Sequence, residues 1–279
     1  MKVYFVSDLH GKPERYRKLA VKIADEPPDA VLVGGDLLPN YFVMEPAEFA
    51  ENFLLPLLTY LKSNLRERFP SIYYIFGNDD PASALLFFDE TPIAGLMKNI
   101  NMQVIKFSGI QIGGYAYIPP TPFLLKDWEK YDVSRYIPRG ALSPEEGIRT
   151  VATPANIVRY TTIADDLEIL NNEVESMSTS IFLFHAPPCD TNLDKILSKD
   201  INGNTQVTRV GSVAIRKFIE KHKPAVTLHG HIHESAAISG SWKDKIGETF
   251  CFSAGHDGEE LALVSFDTEN PSAAMRLLL

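Results

Sequence analysis

Aspartate, histidine and asparagine side chains stand in five short clusters along the 279-residue sequence. Carboxylate, imidazole and amide groups without thiolates suit Mn²⁺, Fe, Zn²⁺, Ni²⁺ or Mg²⁺ rather than Cu(I) or an iron–sulfur cluster. The residue types therefore predict a divalent metal site if the clusters meet in the fold. In chain order, the clusters are Asp8-Leu9-His10, Gly35-Asp36, Gly77-Asn78-Asp79-Asp80, His185-Ala186-Pro187-Pro188 and His229-Gly230-His231-Ile232-His233.

Each cluster taken alone has an ordinary structural interpretation. An isolated Asp-x-His is more often a turn with a helix-capping aspartate, and a Gly-Asp pair is mostly a turn. A single histidine at a strand end, such as His185, is more often a satisfied structural residue. The pair His231 and His233 is more specific, because side chains at i and i+2 point the same way in extended backbone and form a chelate.

A predicted strand stands directly before each cluster. Ligands of open α/β sheets bind at the carboxyl ends of the strands, so clusters far apart in sequence can converge there. Alternation of strands and helices, followed by a β-rich tail, predicts one α/β domain with mixed sheets. The five strands are predicted at Val3–Val6, Ala30–Val33, Ile72–Phe76, Ile181–Phe184 and Ala225–Leu228.

Hydrophobic periodicity and turn residues predict the remaining elements. Residues 118–160 lack clear periodicity, and so long a connection favours a functional lid or insertion. Helices are predicted from about Lys12, over 46–69 with a break at Pro56, over Thr161–Met177, over Leu193–Leu197 and from a Ser212 cap to about His222. A hairpin is predicted over 103–117, and tail strands near Glu248–Ser253, Leu261–Phe266 and Ala274–Leu279.

The composition is that of a globular protein, with 45% hydrophobic residues. Acidic residues outnumber basic ones by 36 to 27, which gives a net charge of −9 and argues against a protein that coats long nucleic acid. Two cysteines exclude a disulfide framework. No signal-peptide core or membrane-length apolar run is visible, so we expect a reduced, cytoplasmic protein with no membrane partner.

The order Asp-x-His, Gly-Asp, Gly-Asn-x-Asp, His and Gly-His-x-His resembles the calcineurin-like metallophosphoesterase family, of the type found in uncharacterised prokaryotic members. The resemblance implies a four-layer α/β/β/α sandwich with two mixed β-sheets. It implies a single domain over 1–279 that carries a lid or insertion at about 118–160. By resemblance, metal one takes Asp8, His10, Asp36 and His233, and metal two takes Asp36, Asn78, His185 and His231, so that Asp36 bridges both ions.

The resemblance implies a hydrolase that uses two divalent ions, with manganese expected first and Fe, Zn, Ni or Mg as alternatives. Two ions ~3.5–4 Å apart can clamp a phosphoryl group and activate a bridging water for in-line attack. The two carboxylates Asp8 and Asp36 leave such a site cationic, which attracts phosphate within an acidic protein. A small phosphodiester, phosphomonoester or nucleotide is the expected substrate. The alternatives are a non-catalytic protein-interaction module and a nuclease.

The third cluster departs from the family pattern. Asp79 stands where the family has a histidine that helps to protonate the leaving group, and Asp80 matches the residue that orients that histidine. An aspartate has an unperturbed pKa of about 3.9, and nearby dications favour its charged form, so Asp79 is expected to be ionised. A preference for substrates with acidic leaving groups follows. The alternative is a carboxylate at a helix N-terminus with no chemical role.

Substrate contacts are less specific in this sequence. Arginines of the 118–160 segment can grip a phosphate in a bidentate manner, and an aromatic residue there can stack on a base or aryl group. Solvated arginines and a satellite core are the ordinary interpretation. The candidates are Arg135, Arg139, Arg149, Arg159, Phe123 and Trp128, with Thr191 and Asn192 after the fourth cluster, which can equally cap a helix. His229 is expected to face the core or to support the metal ligands.

Overall fold

The centre of the molecule is built mainly from β-strands. The computed structural model describes residues 1–41, 43–200 and 202–279. The strands of these ranges are β1 (Lys2–Val6), β2 (Ala30–Gly34), β3 (Ser71–Ile75), β4 (Lys98–Asn99), β5 (Gln103–Phe107), β6 (Ile110–Tyr115), β7 (Ser180–Phe184), β8 (Lys195–Lys199), β9 (Thr205–Arg209), β10 (Val226–His229), β11 (Lys243–Ile246), β12 (Thr249–Ser253), β13 (Ala262–Asp267) and β14 (Asn270–Leu278).

Helices connect and cover these strands. Within the described ranges, no helix is both long enough and apolar enough to cross a bilayer. The helices are α1 (Pro13–Asp25), α2 (Pro46–Phe49), α3 (Leu55–Leu65), α4 (Ala84–Glu90), α5 (Ala155–Tyr160), α6 (Ile163–Asn171), α7 (Val213–His222) and α8 (Ser235–Ser239).

Two six-stranded mixed sheets lie face to face. The first has the order β14-β13-β1-β2-β3-β4 and the second β11-β12-β10-β7-β6-β5, while β8 and β9 form a separate hairpin. The central strands β1, β2 and β3 are parallel, as are β6, β7, β10 and β12. The strands β13 and β14 pair in antiparallel fashion, so β14 runs in the same direction as β1.

Alternation along β7 shows how the layers stack. Ile181 and Leu183 pack in the main core together with residues of both sheets and of α1 and α3. Phe182 and Phe184 point the other way, into a second core with α6 and α7. A strand buried on both faces is apolar at every position, which is why this segment has a continuous hydrophobic run. The layers are helix, sheet, sheet and helix, which confirms the predicted four-layer sandwich.

Most predicted elements are present, with some shifted ends. The predicted helix over 46–69 ends at Leu65, and a π-helical turn at Ala50–Leu54 interrupts it just before Pro56. Proline lacks an N–H and its ring crowds the carbonyl four residues earlier, so the backbone widens there. The Ser212 side chain accepts a hydrogen bond from Ile215 N and caps α7, as predicted.

Two helix predictions were wrong in part or in full. The helix expected over Thr161–Met177 ends at Asn171, after a start fixed by the Thr162–Asp165 capping box. The segment Leu193–Leu197 forms no helix, because Lys195–Lys199 pairs with Thr205–Arg209 as an antiparallel hairpin. The threonines and valine of the second strand favour this extended pairing.

The 118–160 segment is docked on its neighbours through polar contacts. Its Asp132 caps α7 by accepting from Val213 N at 2.7 Å, and its Lys130 pairs with Asp166 of α6 at 2.5 Å. Lys126 and Glu129 form an ion pair that is wholly buried within the segment. Such fully paired buried charges tolerate few alternative packings, so the segment is a built part of the domain surface.

Candidate metal centre

The loops after β1, β2 and β10 bring four predicted ligands into one group. Asp8, His10, Asp36 and His233 each offer a ligand atom, and these atoms all lie within 4.8 Å of one another. His10 Nε2 is 3.2 Å from His233 Nε2, and His233 Nε2 is 3.3 Å from Asp8 Oδ1. A single divalent ion fits among donors of this type and spacing.

A second group of predicted ligands shares Asp36 with the first. His185 Nε2, at the end of β7, is 3.3 Å from Asp36 Oδ2 and 3.1 Å from Asn78 Oδ1. The rings of His185 and His231 have centroids 5.2 Å apart. Asp36 therefore lies between the two groups, in the position that a bridging carboxylate needs.

Several of these residues have backbone in the strained left-handed conformation, which determines the direction of their side chains. Asp8, His10, Asp36 and His231 have φ values of 57°, 48°, 51° and 68°. The left-handed region costs a non-glycine residue roughly 1–2 kcal/mol, so such positions persist where surrounding contacts impose them. Here Asp8 N donates to the carbonyl of Gly35 at 3.0 Å, His10 N to that of Asp36 at 2.8 Å, and His231 N to Asp8 Oδ1 at 3.0 Å.

Two glycines make room for the ligands. Gly35 has a φ of 100°, and a Cβ there would collide with His185 Nδ1. A Cβ on Gly77 would collide with Asp36 Oδ1 and lie 2.6 Å from His185 Cε1. Gly35 and Gly77 are thus required because the loops approach each other too closely for a side chain, and not only because they form turns.

Carboxylate–imidazole pairs shift the pKa values of the candidate ligands. Burial opposes ionisation of Asp36, yet the charge and hydrogen bond of His185 hold the pKa of Asp36 at about 2. Burial lowers the pKa of His185, and Asp36 more than offsets it and raises it to about 10. The pKa of His233 is raised to about 9 in the same way by Asp8, against burial. Burial and the positive charge of His185 lower the pKa of His231 to about 3.

The donor set fits a bound cation. Asp8 Oδ2 is buried and has no hydrogen-bond partner among the described residues, and a buried carboxylate oxygen without a partner is costly. His185 Nδ1 lies 2.7 Å from the carbonyl of Gly34, which leaves Nε2 facing Asp36 and Asn78. Metal-binding histidines are oriented by such contacts through the other ring nitrogen.

His229 is separate from this cluster. Its Nδ1 lies 2.9 Å from the carbonyl of Ala186, and its Nε2 lies 2.8 Å from Thr227 Oγ1. Its ring stacks on Phe184, and burial lowers its pKa to about 3. Both nitrogens are occupied inside the sheet, so His229 is placed to support the core.

Asp79 and Asp80 have different surroundings. Asp79 lies at the rim with 37% of its side chain exposed, and its N–H donates to Asp36 Oδ1 at 2.9 Å. Asp80 is fully buried, and its carboxylate accepts from the backbone N–H groups of Leu37, Leu38 and Gly77. These bonds tie the loop after β2 to the loop after β3.

A family model described as calcineurin-like phosphoesterase matches residues 1–235. The chain belongs to the calcineurin-like phosphoesterase family. No curated protein matches the sequence.

Two solved structures share this fold at low sequence identity. TT1561 of Thermus thermophilus has a TM-score of 0.56 at 16% identity, over 99% of this chain and 98% of its own. GAP50, described as the anchor in the inner membrane complex of Plasmodium, has a TM-score of 0.50 at 8% identity, over 100% of this chain and 88% of its own. These likenesses agree with the four-layer fold.

Three of the four candidate arginines are engaged by groups of the 118–160 segment itself. Arg135 and Arg159 both pair with Glu145, at 2.8 and 2.7 Å. Arg149 donates to backbone carbonyls, including that of Pro144 at 3.1 Å. Arg139 is exposed. Three of these arginines therefore stabilise the 118–160 segment.

The two candidates after the fourth cluster are likewise engaged locally. Thr191 is buried and its hydroxyl donates to the carbonyl of Pro188 at 2.9 Å. Asn192 N donates to Asp244 Oδ2 at 2.7 Å, and its side-chain oxygen accepts from Lys195. Both residues stabilise the loop that leads into β8.

The two aromatic candidates differ in exposure. Trp128 is buried, and its Nε1 donates to the carbonyl of Asp80 at 2.7 Å. Phe123 is 50% exposed. Trp128 therefore connects the 118–160 segment to the third cluster of candidate ligands. Phe123 is accessible to solvent or to a ligand.

Sequence reasoning missed one residue that supports the site. Arg15 of α1 is buried and donates to the carbonyls of Asp8 and Gly258. It lies four and eight positions before Leu19 and Ile23, on the apolar stripe of α1. Its position could have been noticed in the sequence, because a charged residue on the apolar stripe of a helix is expected to have a buried partner.

Proposed function

We propose that this protein is a dinuclear metal-dependent phosphoester hydrolase of small phosphodiesters, phosphomonoesters or nucleotides. The observation that carries the proposal is the shared position of Asp36 between two groups of donors, beside the unpartnered Asp8 Oδ2. Asp8, His10, Asp36 and His233 would hold one ion. Asp36, Asn78, His185 and His231 would hold the other.

When bound, a pair of divalent ions supplies Lewis-acid polarisation of a phosphoryl group and acidifies the attacking water. The chain orients the donors: Gly34 fixes the ring of His185, and Asp8 receives the backbone N–H of His231. Asp8 and His185 are fully buried, while His233 is 33% exposed, so a phosphate group can approach from the exposed side.

The substrate preference depends on position 79. An aspartate kept ionised by nearby cations cannot donate a proton to a leaving group. We therefore expect esters with acidic leaving groups, such as aryl esters, some diesters and nucleotide anhydrides. The excess of acidic residues over the whole chain disfavours long nucleic acid.

We also propose manganese as the resident metal, with Fe, Zn, Ni or Mg as alternatives that the same donors accept. The two free cysteines, Cys189 and Cys251, fit the cytoplasm as the working compartment. We treat residues 1–279 as a single domain, with the 118–160 segment as its insertion.

The test is hydrolysis of bis-p-nitrophenyl phosphate and p-nitrophenyl phosphate by protein stripped of metal and then supplied with Mn²⁺. Asp36→Asn is expected to abolish metal-dependent turnover, because it removes the bridging charge. Asp25→Asn, at the exposed end of α1, is the matched control and should retain turnover. Absence of both turnover and metal binding in the unmodified protein would instead favour a non-catalytic interaction module.

A further inference from the structure

Asp79 contacts one proposed ligand of each metal ion. Its Oδ1 accepts a hydrogen bond from Asn78 Nδ2 at 2.8 Å. Its Oδ2 lies 3.5 Å from His10 Nδ1. One carboxylate therefore faces Asn78, which belongs to one donor group, and His10, which belongs to the other.

The contact with Asn78 decides which way its amide points. Only the NH₂ end of the amide can donate, and it donates to Asp79 Oδ1, so that end of Asn78 faces Asp79. The amide oxygen then turns inward, where it lies 3.1 Å from His185 Nε2. Metal binding needs the amide oxygen there, because the NH₂ group has no free lone pair.

Asp79 also lies beside one ring nitrogen of His10, with Oδ2 at 3.5 Å from Nδ1. A carboxylate beside Nδ1 favours the tautomer with its proton on Nδ1. The lone pair then resides on Nε2, which lies 3.8 Å from Asp36 Oδ2 and 3.2 Å from His233 Nε2. His10 thus presents its unprotonated nitrogen to the donor cluster.

The position of Asp79 itself is fixed by the bridging residue. Its backbone N–H donates to Asp36 Oδ1 at 2.9 Å. Asp36, Asn78 and His10 are in this way all connected to a single residue at the rim of the site. A neutral histidine in place of Asp79 has only one acceptor nitrogen and cannot serve both neighbours.

We infer that Asp79 is a positioning residue that orients Asn78 and His10 for the two metal ions. The inference rests on the proposed dinuclear site and assigns a role to the residue that departs from the family pattern. Because partners of this kind typically contribute about 10–100-fold to metal affinity, their loss is measurable without any substrate.

The experiment titrates metal-stripped protein with Mn²⁺ by calorimetry and with Co²⁺ by visible absorption. Asp79→Asn keeps the shape of the side chain but replaces one acceptor by an NH₂ group. It is expected to weaken both binding steps by about 10–100-fold and to change the Co²⁺ absorption bands. Asp79→Glu retains both acceptor oxygens and should recover part of the affinity, while Asp25→Asn should bind like the unmodified protein.

Each outcome separates the two proposals. Two ions bound with unchanged affinity and unchanged Co²⁺ absorption in Asp79→Asn would overturn the positioning role and leave the dinuclear site intact. An unmodified protein that binds no ion would overturn the site and the positioning role together. Far-ultraviolet circular dichroism of each variant confirms that the exposed side chain was replaced without loss of fold.

Discussion

Asp36 has the most demanding position of any single residue in the site. Its carboxylate faces His10 and His185 from two different loops and also receives the N–H of Asp79. Its own backbone adopts a left-handed conformation. Backbone strain of this kind clusters at functional sites, where surrounding contacts impose it, so we attribute the strain of Asp36 to the chemistry of the site.

The first prediction concerns leaving groups. We propose above that Asp79 supplies no proton to the leaving group; kcat/KM should then fall steeply as the pKa of the leaving group rises across a series of substituted phenyl phosphates and alkyl phosphates. Introducing the family residue with Asp79→His should flatten that dependence. Equal kcat/KM across the series in the unmodified enzyme, under conditions where chemistry limits the rate, would refute the idea.

The second prediction concerns Gly77. Gly77→Ala places a methyl group against Asp36 and His185, so we expect a loss of about 1–3 kcal/mol in unfolding free energy together with weakened metal binding. Gly95→Ala is the matched control, because a Cβ there meets nothing within 4 Å. Urea unfolding of the metal-free proteins compares the two, and equal stability would contradict the steric account.

The convergence of these residues could be predicted from sequence because each lies within a short motif directly after an apolar strand. His231 and His233, for example, follow β10 in a His-x-His pattern. Arg15 escaped this reasoning, and Trp128 was predicted only as a stacking residue, because both side chains donate to backbone carbonyls. Backbone acceptors leave no residue type to recognise.

The 118–160 segment shows what an element without regular structure can contribute. Asp127 accepts from Ala82 N at 2.8 Å, and Trp128 donates to the carbonyl of Asp80. The segment therefore stabilises the turn that presents Asn78 and Asp79. Its role was hard to predict from sequence, because these bonds join irregular stretches on both sides and produce no periodicity.

The third prediction concerns acid sensitivity of this segment. Hydrogen bonds from Tyr131 and Arg159, with Arg135, lower the pKa of Glu145 to about 2. A lowered carboxyl pKa contributes stability that is present above the unfolded value of 4.5 and is lost as the pH falls toward 2. The difference in melting temperature between the unmodified protein and Glu145→Gln should therefore shrink over that interval.

A control for this pH series is Glu67→Gln, on the exposed turn after α3. It should differ from the unmodified protein by the same small amount at every pH. A Glu145→Gln difference that stays constant from pH 7 to pH 3 would show that the arginine pairs of the segment do not stabilise it.

The whole molecule places its site between two sheets. Strands of the first sheet lead to Asp8, Asp36 and Asn78, while strands of the second lead to His185 and His231. The distance between the donor groups is therefore determined by how the sheets pack. Apolar residues from both sheets form one continuous core, which keeps that spacing constant.

The fourth prediction concerns residues 236–279, which lie beyond the family match. They contain β12, which pairs with β10, and β13, which pairs with β1. A chain ending at residue 235 loses strands from both sheets, so we expect no cooperative thermal unfolding by circular dichroism. Cooperative unfolding near the melting temperature of the full chain would show that these strands are dispensable.

The direction of β14 has a practical consequence for anyone producing the protein. Because β14 runs parallel to β1, it ends at the same end of the sheet as the candidate metal ligands, and the carbonyl of Leu279 accepts a hydrogen bond from Lys18 there. A polyhistidine tag placed after Leu279 would bring competing imidazoles beside the site. Met1 pairs with Asp267 at the opposite end of the sheet, so a tag preceding it lies away from the site. Because imidazoles bind divalent ions on their own, either tag must be cleaved before metal is titrated.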